Sequence, residues 1–504
     1  MLLAQPDNPH DLISGGDPTR VLDAVFVNAP LRDYALTPRT NDYTLPVLGL
    51  AYIATYAEQV AGMNVGVLDA EAYGLGVQEV AALLNQLQPR WVGFNLLAPT
   101  YDLSARIAAA LDSSIRVMAG GHHAQAVPDL VLSDPRFSNL HALILGEGET
   151  RVAALLQDHQ IRRELPGVQW RDRLLGTTGI GICDPRDNVR WMSPNISELP
   201  FVDRRFMPQD PYMTSGGRRR ANIVGSRGCP YECGFCGAAA SKNPNLIIRT
   251  RDPRNILAEL YQLHDLHGCT AFRFVDDLFL GVRRVIEEHS AVFKAEKVGE
   301  RFVWDATGRI NILDRLPDTM LDTLRTNGLE EVALGVESGS ARVLKTMDKR
   351  ITPEMTIGVA RRLMERGISV KSYFILGYPG ERAEDLQATV DHIHRLWDLA
   401  DSMPDASLRA SVFEFRPYPG SPVWDRLLAD GYDPAEMMRY GTVDLSGQGA
   451  DEAMRGRDEF NFSVGIQFSA SPLPVIRQHL ADLSRQQYER TRQAGGRALE
   501  AVAV

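Results

Sequence analysis

The stretch around which the fold is expected to be arranged is Gly228-Cys229-Pro230-Tyr231-Glu232-Cys233-Gly234-Phe235-Cys236-Gly237. It holds three of the 5 cysteines in the sequence, separated by three and then by two residues. A loop of this length can bring three thiolates to three corners of an iron–sulfur cube, and soft thiolate ligands suit iron and sulfide. With Cys229, Cys233 and Cys236 as its only protein ligands, such a cube keeps one iron open for a further ligand.

Two ordinary uses of cysteine fit this pattern less well. Structural zinc needs four ligands, usually from two paired knuckles, and the sequence has no second cysteine pair. Disulfides are disfavoured because the number of cysteines is odd and the chain is large, with no mark of secretion. Cys183 and Cys269 lie outside the loop and are expected to be small buried residues.

Length and composition limit the class of protein. A chain of 504 residues exceeds what one core usually fills, so two or three domains are expected. The net charge of −10 argues against a nucleic acid partner. Residues 1–16 do not show a basic segment followed by an apolar run, and no apolar stretch approaches the ~20 residues that cross a bilayer. We therefore expect a cytoplasmic protein without a membrane segment.

Residues 20–160 alternate between short apolar runs and helical patterns. The predicted strands begin near Val21, Val65, Trp91, Ile115 and Leu143. The first helix is expected to start at Pro46 and to end near Ala61, before Gly62. Strand–helix alternation of this kind predicts a parallel, doubly wound sheet.

Ligands of such sheets bind beyond the carboxyl ends of the strands. The loops at those ends are rich in glycine, which lets the backbone approach a bulky ligand. They are Asn95 to Thr100, Gly120-Gly121-His122-His123 and Gly146-Glu147-Gly148-Glu149. A G-x-G-x-x-G does not follow the first strand, so a nicotinamide dinucleotide is not expected.

Residues 161–214 are rich in proline and are interpreted as an irregular bridging segment. Residues 215–430 give six strand–helix units, and polar residues gather just past their strands, on the face where a parallel barrel places its chemistry. Arg218, Arg219 and Arg220 are interpreted as a solvated turn. In residues 431–504 a helix is predicted from Leu473 to about Arg492, with a loose end from Gly495.

The cysteine spacing, with an aromatic residue before the last cysteine, resembles the signature of the radical SAM superfamily over roughly residues 215–425. In that family the open iron binds S-adenosylmethionine (SAM), and an electron from the cluster cleaves it to a 5′-deoxyadenosyl radical. The resemblance implies that Asp276 and Asp277 hold the methionine amino group and that Arg309 pairs with the methionine carboxylate. It also implies that Glu337 and Ser338 contact the ribose or methionine, and that Phe235 and the stretch from Gly377 to Glu381 lie near the adenine.

The first domain resembles the cobalamin-binding domain that precedes many radical SAM cores. The matches are Gly120-Gly121-His122-His123-Ala124, Gly146 to Glu149, and the helix entry Pro46-Val47-Leu48-Gly49-Leu50-Ala51. The sequence has no Asp-x-His-x-x-Gly, so neither His122 nor His123 is expected to bind cobalt. The resemblance implies a set of cobalamin-binding residues: Leu48, Asn95, Leu97, Thr100, Gly120, Gly121, Gly146 and Glu147.

Together these resemblances imply an α/β fold with a Rossmann-like doubly wound cobalamin-binding domain (20–160), a bridging segment (161–214), a partial (β/α)6 radical SAM barrel (215–430) and a small helical C-terminal region (431–504). The implied cofactors are a [4Fe–4S] cluster, SAM and cobalamin. The chain would then be a cobalamin-dependent radical SAM C-methyltransferase that methylates an unactivated carbon of a small molecule in antibiotic biosynthesis. An external electron donor such as a flavodoxin or ferredoxin would reduce the cluster.

One alternative keeps radical chemistry without methyl transfer, as in a dehydratase, epimerase or oxidative cyclase that only binds cobalamin. A second is a non-catalytic cobalamin or iron sensor. The sequence does not identify the substrate, the methylated position, a catalytic acid or base, or the oligomeric state.

Overall fold

The computed structural model describes residues 8–36, 47–172, 177–180, 195–208, 213–215, 217–237, 248–442 and 462–502. The chain divides into two compact units. The first contains the described residues up to 208, and the second contains most of the chain from residue 213 onward. Each unit is built on its own seven-stranded sheet, as the two predicted α/β domains require.

The sheet of the first unit has the order β2-β1-β3-β4-β5-β6-β7. Its strands are β1 (Ala24–Asn28), β2 (Val65–Asp69), β3 (Trp91–Asn95), β4 (Arg116–Gly120), β5 (Leu140–Ile144), β6 (Val168–Asp172) and β7 (Thr177–Ile180). Strands β1 to β5 are parallel, and the reversal of order beside β1 makes the sheet doubly wound. Their runs of buried residues suit a sheet covered on both faces.

Short helices follow these strands. They are α1 (Leu48–Gln59), α2 (Ala70–Tyr73), α3 (Val77–Leu87), α4 (Tyr101–Ala109), α5 (His122–Ala126), α6 (Pro128–Ser133) and α7 (Glu149–Gln157). The predicted strands are all present within a few residues of their expected positions. Pro46, the expected first residue of the first helix, lies outside the described residues, and so does Cys183.

The segment expected to be an irregular bridge contains regular structure. Strands β6 and β7 fall inside it and extend the first sheet antiparallel to β5 and to each other. The prolines of this segment lie outside both strands, so they bound the strands without interrupting them. The division of the chain at residues 160, 214 and 430 stays a prediction.

The second unit holds six parallel strands, which confirms the predicted partial barrel. The sheet order is β16-β15-β14-β13-β12-β9-β8, and only β8 runs antiparallel. The strands are β8 (Met213–Ser215), β9 (Arg218–Ile223), β12 (Cys269–Phe274), β13 (Val303–Gly308), β14 (Leu329–Glu337), β15 (Ser369–Leu376) and β16 (Leu408–Glu414). Two short ribbons stand apart from this sheet: β10 (Ser226–Arg227) with β11 (Arg249–Thr250), and β17 (Gly441–Thr442) with β18 (Phe462–Ser463). Among the described residues β16 and β8 do not pair, so the barrel stays open.

Helices connect the barrel strands. They are α8 (Pro253–His267), α9 (Arg283–Ala295), α10 (Ile310–Leu313), α11 (Asp318–Thr326), α12 (Ala341–Thr346), α13 (Pro353–Met364), α14 (Ala383–Asp401), α15 (Pro422–Ala429), α16 (Pro434–Met437) and α17 (Leu473–Val502). Asp252 accepts from two backbone N–H groups at the start of α8, and Gly268 ends that helix in the left-handed conformation, as predicted. Thr352 caps α13 in the same way.

Arg218, Arg219 and Arg220 are the first three residues of strand β9, which corrects their interpretation as a solvated turn. Arg220 is mostly buried and has acidic partners on other strands of the sheet. Its guanidinium pairs with Asp305 of β13 and with Glu330. Arg273 of β12 also pairs with Asp305, so one buried carboxylate holds two guanidinium groups.

The C-terminal helix α17 continues to Val502, past the end predicted near Arg492 and through Gly495 and Gly496. It packs along β16, the last strand of the sheet. The side-chain Oε1 of Gln487 accepts hydrogen bonds from the backbone N–H of Ala410 in β16 and from the indole of Trp397. The helix therefore provides a hydrogen-bond acceptor for the backbone at the edge of β16, where a further strand would otherwise provide it.

None of the helices in the described part of the chain is long and apolar enough to cross a membrane.

Replacing Asp305 should destabilise the second unit strongly. In Asp305→Ala, Arg220 and Arg273 lose a shared partner while staying mostly buried. Removing one partner of a buried pair costs about 3–5 kcal/mol, so a large drop in the urea unfolding midpoint is expected. Asp318→Ala is the matched control, because Asp318 pairs with Arg362 at the exposed surface. Equal midpoints for the two variants would contradict this prediction.

Candidate active site

Backbone hydrogen bonds hold the cysteine loop at Gly234. The N–H of Gly234 donates to the carbonyl of Met347 at 2.8 Å, and its carbonyl accepts from the N–H of Val423 at 2.8 Å. A Cβ at this position would lie 2.9 Å from the hydroxyl of Tyr378, so glycine lets the loop seat against that ring. The loop is thereby fixed to the end of α12 and the start of α15.

The three thiols of the loop are close in sequence, and none of them is in a disulfide. Cys233 is buried, Cys229 and Cys236 are half-buried, and neither these nor Cys269 form a disulfide. Burial raises the pKa of the Cys229 thiol, with the neighbouring Cys233 adding to the effect. Within the described residues, three or more cysteine, histidine or acidic side chains nowhere converge on a position for one metal ion.

Arg309 lies directly against this loop. Its Nη1 is 3.4 Å from Cys233 Sγ, its Nη2 donates to the carbonyl of Lys349 at 2.9 Å, and its Nε donates to Asn311. The guanidinium carbon stacks 3.5 Å from the ring centroid of Tyr231. The predicted pairing of Arg309 with a methionine carboxylate stays a prediction, since these contacts are to the protein.

Sequence reasoning missed Lys349, a buried cation next to the loop. Its ammonium pairs with Glu337 at 2.6 Å and lies 5.4 Å from the ring centroid of Phe235. Glu337 itself has a φ of +66°, which turns the end of β14 sharply. A Cβ on Gly335 would collide with both members of this ion pair, so the glycine makes room for it. In the sequence, Lys349 follows Met347 and Asp348 and is not part of a recognisable motif, so nothing pointed to its role.

The two aspartates after β12 have different surroundings. Asp276 is buried and accepts backbone N–H groups of Gly225 (2.9 Å) and Ser226 (2.5 Å), just before the cysteine loop. Burial raises its pKa to about 7. Asp277 is exposed and close enough to Cys229 to influence its charge. Asp276 therefore orients the strand that leads into the loop, and the predicted contact of Asp276 and Asp277 with the methionine amino group stays a prediction.

The remaining predicted SAM residues contact the protein. Ser338 is fully buried, and its hydroxyl hydrogen-bonds Thr389 of α14 and accepts from the N–H of Ser340. Gly377, with a φ of +83°, donates its N–H to Glu381 at 2.8 Å. The second carboxylate oxygen of Glu381 is buried, and none of the described residues gives it a hydrogen bond. Their roles toward SAM stay predictions.

The first unit contains a cavity of about 170 Å³ at the carboxyl ends of its strands. Four predicted cobalamin residues line it, namely Asn95, Gly120, Gly121 and Gly146. The lining also includes residues outside the implied set of cobalamin-binding residues, of which Gly49, Leu50 and Gly148 stand in the matched motifs: Phe26, Gly49, Leu50, Ile53, Gly93, Phe94, Met118, Ala119, Ile144, Gly148 and Val152. Leu48, Leu97, Thr100 and Glu147 are not part of this lining, and their role stays a prediction.

His123 lies beneath the glycine loop and is buried against the ring of Tyr101, 4.5 Å between centroids. Neither ring nitrogen has a hydrogen-bond partner among the described residues. Burial lowers its pKa to about 4, so the ring is neutral near pH 7. His122 is more exposed, at the start of the short helix α5.

Two protein-family models match the chain. Residues 223–393 match the radical SAM superfamily, and residues 39–156 match the B12 binding domain.

The chain thus combines a B12 binding domain with a radical SAM domain, the domain pair of cobalamin-dependent radical SAM enzymes. Its cofactors are accordingly a [4Fe–4S] cluster, SAM and cobalamin. The residues present fit these groups: three thiols outside any disulfide, on one fixed loop, suit the cluster, and a glycine-lined cavity at the strand ends lets the backbone approach part of a bulky cofactor.

Relatives with assigned names include methyltransferases and, at 24% identity over 397 residues, the anaerobic magnesium-protoporphyrin IX monomethyl ester cyclase of Rubrivivax gelatinosus. An uncharacterised methyltransferase of Pyrococcus horikoshii is 26% identical over 392 residues, which cover 77% of this chain and 79% of that protein. Cytidylyl-2-hydroxyethylphosphonate methyltransferase of Streptomyces wedmorensis is 27% identical over 450 residues, covering 78% and 79%. The chain is thus a radical SAM enzyme of the methyltransferase type.

Two solved structures share the fold of this radical SAM enzyme. The methyltransferase TsrM of Kitasatospora setae, with cobalamin and a [4Fe–4S] cluster bound, matches with a TM-score of 0.61 at 17% identity, covering 91% of this chain and 90% of that one. The cobalamin-dependent enzyme OxsB, with aqua-cobalamin and SAM bound, matches with a TM-score of 0.55 at 19% identity, and the match covers 83% of this chain. Only 56% of the OxsB chain is spanned.

Replacing Glu381 should change how stability depends on pH. Burial raises the pKa of Glu381 from 4.5 to about 7, so the folded protein holds this proton more tightly than the unfolded chain. The stability from that proton is complete below pH 4.5 and is lost as the pH rises through 7. We expect wild type to lose up to about 1.4 kcal/mol per pH unit more than Glu381→Gln across this window.

Urea unfolding between pH 4.5 and 7.5 measures this difference. Glu384→Gln is the matched control, because it removes an exposed carboxylate in the first turn of α14, three residues after Glu381. Parallel curves for wild type and Glu381→Gln would show that the buried acid is not the group that titrates.

Proposed function

We propose that this enzyme is a C-methyltransferase that adds a methyl group to an unactivated carbon of a small molecule in natural-product, specifically antibiotic, biosynthesis. The observation that carries the proposal is the pairing of two sites in one chain. One unit has three cysteines outside any disulfide on a loop fixed at Gly234, and the other has a glycine-lined cavity at its strand ends. The fold alone hosts many reactions, so the substrate class is an inference from named relatives.

When bound, the cluster with SAM supplies radical chemistry, and cobalamin supplies a methyl group. The chain's own residues hold these groups. Cys229, Cys233 and Cys236 bind the cluster, and Asp277 offers a carboxylate to an ammonium group near Cys229. The Glu337–Lys349 pair places one anion and one cation beside Phe235, where a zwitterionic amino acid moiety would find partners of both signs.

In the first unit, glycine supplies space where a side chain would otherwise stand. A Cβ at Gly121, whose φ is +97°, would meet the side chain of Asn95 and the backbone of Leu96. Backbone atoms can therefore approach a ligand closely along this loop. The apolar lining from Phe26, Leu50 and Ile53 excludes water from a ligand's hydrophobic part.

The proposed function also includes an electron donor and a cellular compartment. The electron that the cluster needs comes from an external low-potential donor, such as a flavodoxin or ferredoxin. The enzyme works in the cytoplasm, because thiolates and iron–sulfur clusters survive in a reducing compartment.

Analysis of SAM-derived products tests the function. Anaerobically reconstituted and reduced enzyme with cobalamin is expected to give S-adenosylhomocysteine together with 5′-deoxyadenosine, measured by mass spectrometry. A dehydratase, epimerase or cyclase would give 5′-deoxyadenosine without the homocysteine product, and a sensor would give neither. Cys233→Ala should lose iron and both products, whereas Cys269→Ala, which changes the same residue type in the barrel core, should keep them.

Filling the cavity should weaken cobalamin binding without unfolding the protein. Gly49 lines the cavity within α1, and a Cβ there would have no atom within 4 Å. Gly49→Leu is expected to reduce cobalamin affinity at least tenfold, while removing a helical glycine adds up to about 1 kcal/mol of stability. Absorbance of cobalamin retained after equilibrium dialysis measures the loss.

Gly358→Leu is the matched control, since Gly358 lies in helix α13 with similarly open space around it. Equal cobalamin retention by both variants would mean that the cavity is not the cobalamin site.

A further inference from the structure

One contact in the second unit without an assigned role joins Arg309 and Cys233. The Nη1 atom lies 3.4 Å from the sulfur, within the range of an N–H···S hydrogen bond. Arg309 is only 7% exposed, so solvent screens its charge weakly. A buried cation therefore donates directly to one of the three sulfurs that bind the cluster.

The surroundings of Arg309 aim it at this sulfur. The Nε atom donates to Asn311 Oδ1 at 3.1 Å, and Nη2 donates to the carbonyl of Lys349 at 2.9 Å. The ring of Tyr231, from the cysteine loop itself, covers one face of the guanidinium at 3.5 Å. Such stacking on an aromatic face is specific to the planar guanidinium, and it orients the fork.

Charge determines what this contact does. A [4Fe–4S] cluster with three thiolate ligands carries a net charge of −1 when oxidised and −2 after it accepts one electron from the external donor. A cation and a hydrogen bond to sulfur stabilise the more negative state, which raises the reduction potential. The effect is strong where the cation is buried, because the local dielectric constant is low.

We propose that Arg309 is a positioning residue that raises the reduction potential of the cluster through its hydrogen bond to Cys233, with Tyr231 holding the guanidinium in place. The proposal rests on the cluster being bound at Cys229, Cys233 and Cys236. It makes Arg309 part of the electron-accepting step and assigns it no contact with the substrate.

The test is a redox titration of the reconstituted cluster, followed by electron paramagnetic resonance of the reduced state in the absence of substrate. In Arg309→Gln the cationic charge is lost, and the equilibrium constant for reduction by a mediator is expected to fall at least tenfold, or 59 mV for one electron. Arg309→Lys keeps the positive charge but lacks the planar guanidinium group. Its cluster should therefore have a reduction potential between those of wild type and Arg309→Gln.

Arg350→Gln is the matched control. Arg350 is a second cation influenced by the charge of Cys233, but its side chain is 61% exposed and pairs with Asp348. Arg350→Gln removes the same charge as Arg309→Gln but no N–H···S hydrogen bond. The shift in reduction potential caused by Arg350→Gln should therefore be much smaller. A shift equal to that of Arg309→Gln would overturn the proposal and leave only a general charge effect.

The remaining outcomes of this experiment distinguish a failure of the proposed function from a failure of the inference about Arg309. If wild type assembles no four-iron cluster, the proposed function fails and this inference fails with it. If wild type assembles one and Arg309→Gln has the same potential, only the inference is wrong. If both Arg309 variants lose iron under conditions where Arg350→Gln keeps it, Arg309 serves cluster assembly and not its potential, which also overturns the proposal.

Discussion

Three thiols can serve one cluster only if the loop that carries them keeps its shape, and two backbone hydrogen bonds at Gly234 impose that shape. One joins the loop to the end of α12 and the other to the start of α15. Both helices belong to the barrel, so the position of the thiols follows from the packing of the barrel core. The close approach of Tyr378 to Gly234 explains why a residue between two cluster ligands must lack a side chain.

The same barrel brings polar groups from several strands to one place. Asp276 and Asp277 follow β12, Arg309 follows β13 and Glu337 ends β14, and parallel strands deliver their carboxyl ends to one edge. These polar groups fall into two classes according to what they contact in the structure. Asp276 and Ser338 are occupied by backbone and hydroxyl groups, whereas Arg309, Glu337 and Lys349 form contacts next to the cysteine loop. A polar residue at a strand end can thus orient the strand or face the ligand, and its hydrogen bonds distinguish the two.

Sequence patterns predicted local features well and long-range partners poorly. Asp252, Pro253 and Gly268 bound α8 as expected, because capping depends on neighbours in the chain. Arg220 was placed in a solvated turn because its partners, Asp305 and Glu330, are 85 and 110 residues away. Lys349 was missed for the same reason, since its importance comes from Glu337 and from the ring of Phe235. Strands β6 and β7 were missed because an antiparallel extension of a sheet leaves no strand–helix alternation to detect.

The two sites also differ in how their chemistry is encoded. The cluster site depends on groups that are present, and three cysteines at fixed spacing are easily recognised. The cavity of the first unit, the proposed cobalamin site, depends on groups that are absent, since Gly49, Gly93 and Gly148 contribute space and no functional atom. A glycine in a sequence has many explanations, including turns and helix ends, so its role as cavity lining emerges only when the strands and α1 are assembled. That difference accounts for the lining glycines that sequence reasoning left out, although it had identified the neighbouring Gly120, Gly121 and Gly146.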